Sequence, residues 1–290
     1  MNTDEFEYEC SECGTTVLPQ DKVCKNCGAN LEEITTSLEQ PSQHSPAVST
    51  TSDRLIALPP FESATSRVKW VNLFLIICIL FDLVAIVSTY SQIELLSGVK
   101  QGHSITIEAA EANDSRQQSI GILQILVFII TSIFFLVWIH RAHHNLPALG
   151  ATGLKYSPGW AVGGFFVPFL NLVRPFQVMT EIWKASDPAI SVGSSWQDGP
   201  SSPIIGQWWG AHLASGAIGW FSFRSASEAG TIDSLLNTSW ILLIADIATI
   251  VAALLAMRMI KAINARQELK YRSLITNTQT VMNSNVRNGA

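Results

Sequence analysis

Four of the five cysteines form a single pattern, Cys10-x2-Cys13 and Cys24-x2-Cys27, with ten residues between the pairs. A CxxC turn lets two thiolates converge on one ion, and two such turns supply the four tetrahedral sulfurs that a structural Zn²⁺ takes. Gly14 and Gly28 follow the second cysteine of each pair, where a tight knuckle favours the positive φ that glycine tolerates. Two disulfides or redox thiols are the competing readings of these cysteines. The doubled spacing favours zinc, and four thiolates leave no open coordination position, so the metal is structural and not catalytic. Zinc thiolates belong to a reducing compartment, which puts the N-terminus in the cytoplasm.

A second set of residues sits where charge is costly. Asp82 lies twelve residues into an apolar run that starts at Trp70, and Asp246 lies fourteen residues before Ile260 in another. At the helical rise, both are roughly 18–21 Å from the same end of their helices. They share a depth and can face each other across a bundle. An intramembrane carboxylate reads either as functional or as a protonated group bonded to a neighbouring helix. His140, His143 and His144 fall at i, i+3 and i+4, a spacing that allows a weak second metal site but that comes without a glutamate base. His212 reads as an interhelical hydrogen-bonder with a functional alternative. Arg141, Arg174 and Glu181 are candidates for polar pairs, the alternative being that the arginines reach lipid phosphates. Cys78 stands alone in an apolar run and reads as a small core residue.

The elements that must hold these groups are membrane helices. Charged residues are only 14% of the 290 residues, against about a quarter in soluble domains, and the mean hydropathy is +0.26. Trp70–Tyr90, Ile120–Ile139 and Ser239–Ile260 are long and apolar enough to span. Ile204–Phe223 is a fourth candidate, whose Gly206, Gly210 and Ala214 recur every four positions as in closely packed membrane helices. Gly159–Lys184 is broken by Pro168 and Pro175, and its apolar part, Trp160–Val173, is too short to cross. It reads as re-entrant or interfacial, with Phe176, Met179 and Trp183 as the apolar stripe of a surface helix. Four spans with the N-terminus inside place 13 lysines and arginines on the inner side and three outside. A fifth span would leave six inside and nine outside, against the positive-inside rule.

The fold class is therefore an all-α membrane bundle of four transmembrane helices plus a broken re-entrant or interfacial helix, behind a small N-terminal metal-bound head. The domains divide as 1–33 (head), 34–66 (a Ser/Thr/Pro/Gln-rich disordered linker), 67–272 (membrane body) and 273–290 (a disordered cytoplasmic tail). The protein is expected in the plasma membrane, multi-pass, with both termini cytoplasmic.

Two resemblances accompany this reading. The knuckles "CSECG" and "CKNCG" resemble the zinc-ribbon family. The stretches "WIHRAHHNLPALG" (138–150) and "SPGWAVGGFFVPFLNLVRPFQVMTEIWKASDP" (157–188) resemble the bacterial membrane family catalogued as domain of unknown function 4328. Trp138, Arg141, Ala142 and Asn145 carry its W-x-x-R-A-x-x-N helix end, and Glu181 to Ser186 carry its closing motif. The likeness implies a layout over roughly residues 68–265 and no activity. His140, His143 and His144 depart from the family pattern, so the resemblance lends them no role.

Function is constrained mainly by exclusion. Residues 1–40 hold nine acids against two lysines, a surface that repels phosphate and argues against nucleic acid. Nucleotide-binding and hydrolase signatures are missing, so the chain does not read as an enzyme. The first reading is a membrane-anchored interaction or regulatory protein whose acidic zinc ribbon docks a cytoplasmic partner, with the lipid bilayer around the body. Self-association through the Gly206/Gly210 face is open to it. The alternative is a small ion- or proton-coupled transporter or channel that uses Asp82, Asp246 and the broken 160–173 segment.

Overall fold

A computed structural model describes residues 8–9, 15–17, 23–26, 60–192, 194–227 and 230–288. The chain divides into two units, Met1–Thr50 and Thr51–Ala290.

In the first unit, strands β1 (Tyr8–Glu9) and β2 (Thr16–Val17) pair antiparallel, with Tyr8 opposite Val17 and Glu9 opposite Thr16. The short ladder fits the hairpin that a ribbon needs before its second cysteine pair. Asn26 donates from Nδ2 to Thr15 Oγ1 at 3.0 Å, tying the second knuckle to the hairpin.

The second unit is helical. Helices α1 (Thr65–Lys100), α2 (Ile107–His144), α5 (Pro203–Ser227) and α6 (Ile232–Asn288) form the bundle. Between α2 and α5 lie the short helices α3 (Pro158–Gly163) and α4 (Arg174–Ala185). Local chemistry sets several boundaries. The Thr106 side chain accepts from Ala109 N at the start of α2, and Ser157 accepts from Trp160 N where Pro158 opens α3. Each is an N-cap that occupies an otherwise orphaned donor. After α2 the chain turns through Pro147–Leu149 into Gly150 at φ 79°. Glycine is required there twice over, because a Cβ would also meet Val192 at 2.7 Å.

Helices α1, α2 and the Ile232–Thr280 part of α6 are long and apolar enough to cross a membrane. Their surfaces are inverted relative to a soluble bundle, with Leu80, Val84 and Val87 exposed on α1 and Ile122, Ile125 and Phe128 exposed on α2, while polar residues face inward. The fourth expected span, Ile204–Phe223, coincides with α5. Its 25 residues have the length to cross, but Gln207, His212 and four glycines dilute its apolar character below that of the other three.

Gly159–Lys184 is not a crossing helix. It folds as α3, an irregular turn and α4, whose 12 residues rise only about 18 Å. The turn is apolar and open: Phe166 is 70% exposed and Phe169 84%, the latter at φ 63°. The buried face of α4 is Val178, Met179, Ile182 and Ala185. This differs from the expected Phe176–Met179–Trp183 stripe, because α4 packs onto the bundle and leaves Phe176 outside.

Two expected disordered segments prove ordered in part. The end of the linker is anchored: Glu62 receives Arg67 at 3.0 Å and also Arg141, and Asn145 Nδ2 donates to Glu62 O at 2.8 Å. Phe61 stacks on Tyr271 at 4.3 Å. The expected tail, 273–290, instead continues α6 through Asn288, since no proline or glycine interrupts 261–288.

This extension of α6 closes the core at the end where α2 and α4 finish. Trp138, Ile139, Met179, Ile182, Met259 and Ile263 are all fully buried. Around them, Gln267 Nε2 donates to Ala142 O at 2.8 Å and to Ser186 Oγ at 3.1 Å. Lys270 Nζ donates to Ala185 O at 2.9 Å. Both side chains serve carbonyls at helix C-termini, which have no intrahelical donor. Replacing Lys270 with methionine keeps the stem but strands the Ala185 carbonyl. It should cost on the order of 1–3 kcal/mol, read as a lowered Tm of the detergent-solubilised full chain, and an unchanged Tm would show that this cap adds nothing.

Candidate functional site

The most unusual polar cluster joins the three longest apolar helices. Gln124, on α2, donates both amide hydrogens: Nε2 lies 3.0 Å from Asp82 Oδ1 on α1 and 3.2 Å from Asp246 Oδ1 on α6. Asp82 is 5% exposed and Asp246 7%. The other oxygen of each, Oδ2, is buried without a hydrogen-bond partner among the described residues. The two carboxylates of like depth thus meet through a third residue. Sequence reasoning passed over Gln124, although it is the only side chain in Ile120–Ile130 that carries an amide or a charge. That isolation was the available signal.

Polar contacts continue from this cluster toward the α1–α2 and α5–α6 turns. Arg116 Nε donates to Ser88 Oγ at 2.9 Å, and its Nη2 to Asn113 Oδ1 at 2.8 Å. Gln92 Nε2 donates to Ser239 Oγ at 2.8 Å. In the other direction the next side-chain link is Cys78 Sγ to Thr131 Oγ1 at 3.1 Å, followed by buried Val71, Leu75 and Trp138. Cys78, expected as a small core residue, is half-buried and hydrogen-bonded to Thr131.

The expected histidine cluster does not assemble. His143 is fully buried, with Nε2 2.9 Å from Glu181 Oε1, while His140 and His144 stack on the opposite, exposed side with centroids 6.2 Å apart. Positions i and i+4 share a face and i+3 turned inward here, so three imidazoles never converge. Among the described residues, no group of three or more histidine, cysteine or acidic side chains is placed to hold a metal.

The expected arginine partners of Glu181 differ as well. Its Oε1 meets His143 and its Oε2 accepts from Lys155 N at 2.7 Å. Arg141 pairs with Glu62 instead. Arg174, about 10 Å away along α4, stacks its guanidinium over Tyr156 at 4.9 Å. His212 is exposed on α5 and stacks on Trp209 at 5.3 Å, so it does not bridge two helices by a hydrogen bond. Gly210 and Ala214 likewise face open space rather than a neighbouring helix.

Of the four expected zinc ligands, Cys24 is buried beside the hairpin. Cys10, Cys13 and Cys27 lie outside the described residues. The donor set fits zinc: four thiols at two paired knuckles match the tetrahedral sulfur preference, and their deprotonation would couple metal binding to folding of the head.

Comparison with known proteins adds to this geometry. The family model described as Domain of unknown function (DUF4328) matches residues 101–265, more than half of the chain. The chain belongs to this family. The match begins after α1, so this DUF4328 protein carries Gln124 and Asp246 within the family region and Asp82 outside it. A zinc-ribbon domain model matches residues 6–31, which include all four cysteines of the head and imply zinc binding. No curated protein and no solved structure matches the chain. Metal analysis of the purified full chain should find about one zinc per chain, lost in Cys24→Ser and retained in His143→Ala. A second zinc that disappears with His143 would contradict the separation of the histidines.

Proposed function

We propose that this protein is a membrane-anchored docking protein that crosses the bilayer four times, keeps both termini in the cytoplasm, and presents its zinc ribbon there to a protein partner. The observation that carries the reading is the union in one chain of a closed four-thiolate motif with three membrane-length helices. A closed metal site cannot bind substrate, so its use is to fold a small surface.

The arrangement of the second unit supports the crossings. Residues 61–62 sit against Tyr271, Arg141 and Asn145, which gathers the start of α1, the end of α2 and the distal part of α6 at one end. Lys100 pairs with Asp233 at 2.6 Å at the opposite end, so α1 and α6 traverse the same length in opposite senses. Helix α5 returns to that end before α6 begins. The basic residues follow: of the three assigned to the outer side, Arg116 is absorbed into the polar contacts between helices, leaving Lys100 and Arg224 against 13 on the inner side. The exposed Phe166, Phe169 and Leu172 of the turn between α3 and α4 suit the apolar side of an interface beside these helices.

The acidic head, with a balance of seven negative charges over residues 1–40, fits a basic protein surface better than a phosphate-bearing one. In cells, a proximity-labelling tag beside the head should mark a discrete set of cytoplasmic proteins, and deleting residues 1–40 should abolish that set while the body stays inserted. An unchanged set would count against docking by the ribbon. Thr276→Cys should react with a membrane-impermeant maleimide only after the cytoplasmic side is opened. Labelling in intact cells would overturn the orientation.

A further inference from the structure

We propose that Asp82, Gln124 and Asp246 form one intramembrane proton-binding site that exchanges with solvent only through the Lys100–Asp233 end of the bundle. This role is independent of docking by the ribbon.

Gln124 has two amide hydrogens, and both are spent on the two Oδ1 atoms. The two Oδ2 atoms are buried and have no donor among the described residues. An ionised carboxylate needs such donors or a counter-charge once water is removed. The sequence offers no counter-charge nearby. Between Asp233 and Arg258, Asp246 is the only ionisable residue of α6, and α2 has none between Arg116 and His140. On α1 the neighbouring ionisable group is Cys78, engaged with Thr131. On α5, which packs along α6, His212 turns toward Trp208 and Trp209, and Arg224 lies near the helix end. Arg116 is eight residues outward on α2 and already bonded to Ser88 and Asn113. A proton on Oδ2 neutralises a carboxylate and supplies the missing donor in one event. Two vacant oxygens are too few for a hard metal cation, which takes six or more oxygen ligands.

From Asp82 toward Lys100, the inward face of α1 carries Ser88, Thr89 and Gln92, six to ten residues on. Thr89 is fully buried and its hydroxyl has no partner among the described residues, a group two turns from the carboxylates. With Arg116, Asn113 and Ser239, these groups form hydrogen-bonding stations across α1, α2 and α6. Toward the other end, beyond Cys78 and Thr131, buried Leu75, Val71 and Trp138 close the helix faces; the polar group among them, Asn72, donates to Val68 O of its own helix at 2.7 Å, and its buried Oδ1 meets no neighbouring helix among the described residues. The arrangement suits binding and release from one side, as in a sensor, and does not provide a path through the bundle.

Infrared difference spectroscopy of the full chain in lipid nanodiscs tests this. The wild type should show a side-chain carboxylic-acid carbonyl band that shifts in D2O and loses intensity as pH is raised, because ionisation converts the acid carbonyl to a carboxylate. Isotope-labelled aspartate assigns the band in the wild type, so the result stands even if a variant fails to fold. The isosteric Asp82→Asn/Asp246→Asn double variant should lack it. In oriented proteoliposomes, a pH step in the compartment facing the Lys100–Asp233 end should change the band at least tenfold faster than the same step on the other side. No aspartate band, or one that pH leaves unchanged, would overturn proton binding. Equal response from both sides, or a faster one from the inner side, would overturn one-sided access.

Discussion

Polar groups removed from water must find partners, and in this protein that requirement organises both ends and the middle of the helical unit. Helices satisfy their own backbone, which leaves side chains and helix termini to be matched. Where the apolar helices meet, Gln124 links two aspartates from two other helices. At the end where α2 and α4 finish, Gln267 and Lys270 reach the terminal carbonyls of these two helices. The outward faces of α1 and α2 are then free to be apolar, as exposed Leu80, Val84, Ile125 and Phe128 show.

The same constraint explains the cap between α2 and α5. A segment of two short helices exposes more backbone ends than a single long helix, and each needs a partner. Trp209 Nε1 donates to Leu172 O at 2.9 Å, and Trp196 Nε1 to Thr152 O at 2.6 Å. Glu181 spends one oxygen on Lys155 N and the other on the buried His143. Indole and carboxylate side chains thus replace the water that an irregular loop would otherwise require. The salt bridge of Arg266 to Asp187 at 2.8 Å, with the guanidinium over Trp183 at 4.2 Å, fastens the end of α4 to the extension of α6. The stretch between residues 138 and 188 largely makes this cap: Trp138, Asn145, Glu181 and Ser186 are all buried.

A metal-dependent head and a helical body solve folding in different ways. The head has too few residues to bury a core, and its zinc-ribbon match implies that a metal ion supplies the missing stabilisation. The body buries large side chains at one end and, in its interior, keeps a line of polar residues that adds no hydrophobic stabilisation. Polar residues retained inside apolar helices are costly, which sets Asp82, Gln124 and Asp246 apart from the packing residues around them.

What the sequence determined by itself were the features set by local spacing and bulk hydropathy. The paired CxxC knuckles identify the ribbon, long apolar runs locate α1, α2 and α6, and the prolines at 168 and 175 forbid a straight helix through 159–184. Equal helical depth was enough to group Asp82 with Asp246. Partner choice needed the tertiary structure, because rotation about a helix axis decides which side chains meet and periodicity leaves that angle open. Only the folded unit placed Gln124 between the aspartates, turned His143 toward Glu181 and away from His140 and His144, and gave Arg141 to Glu62. The order of residues 60–64 and of the distal part of α6 was likewise invisible to composition, since it comes from contacts more than eighty residues apart along the chain, such as Glu62 with Asn145 and Lys270 with Ala185.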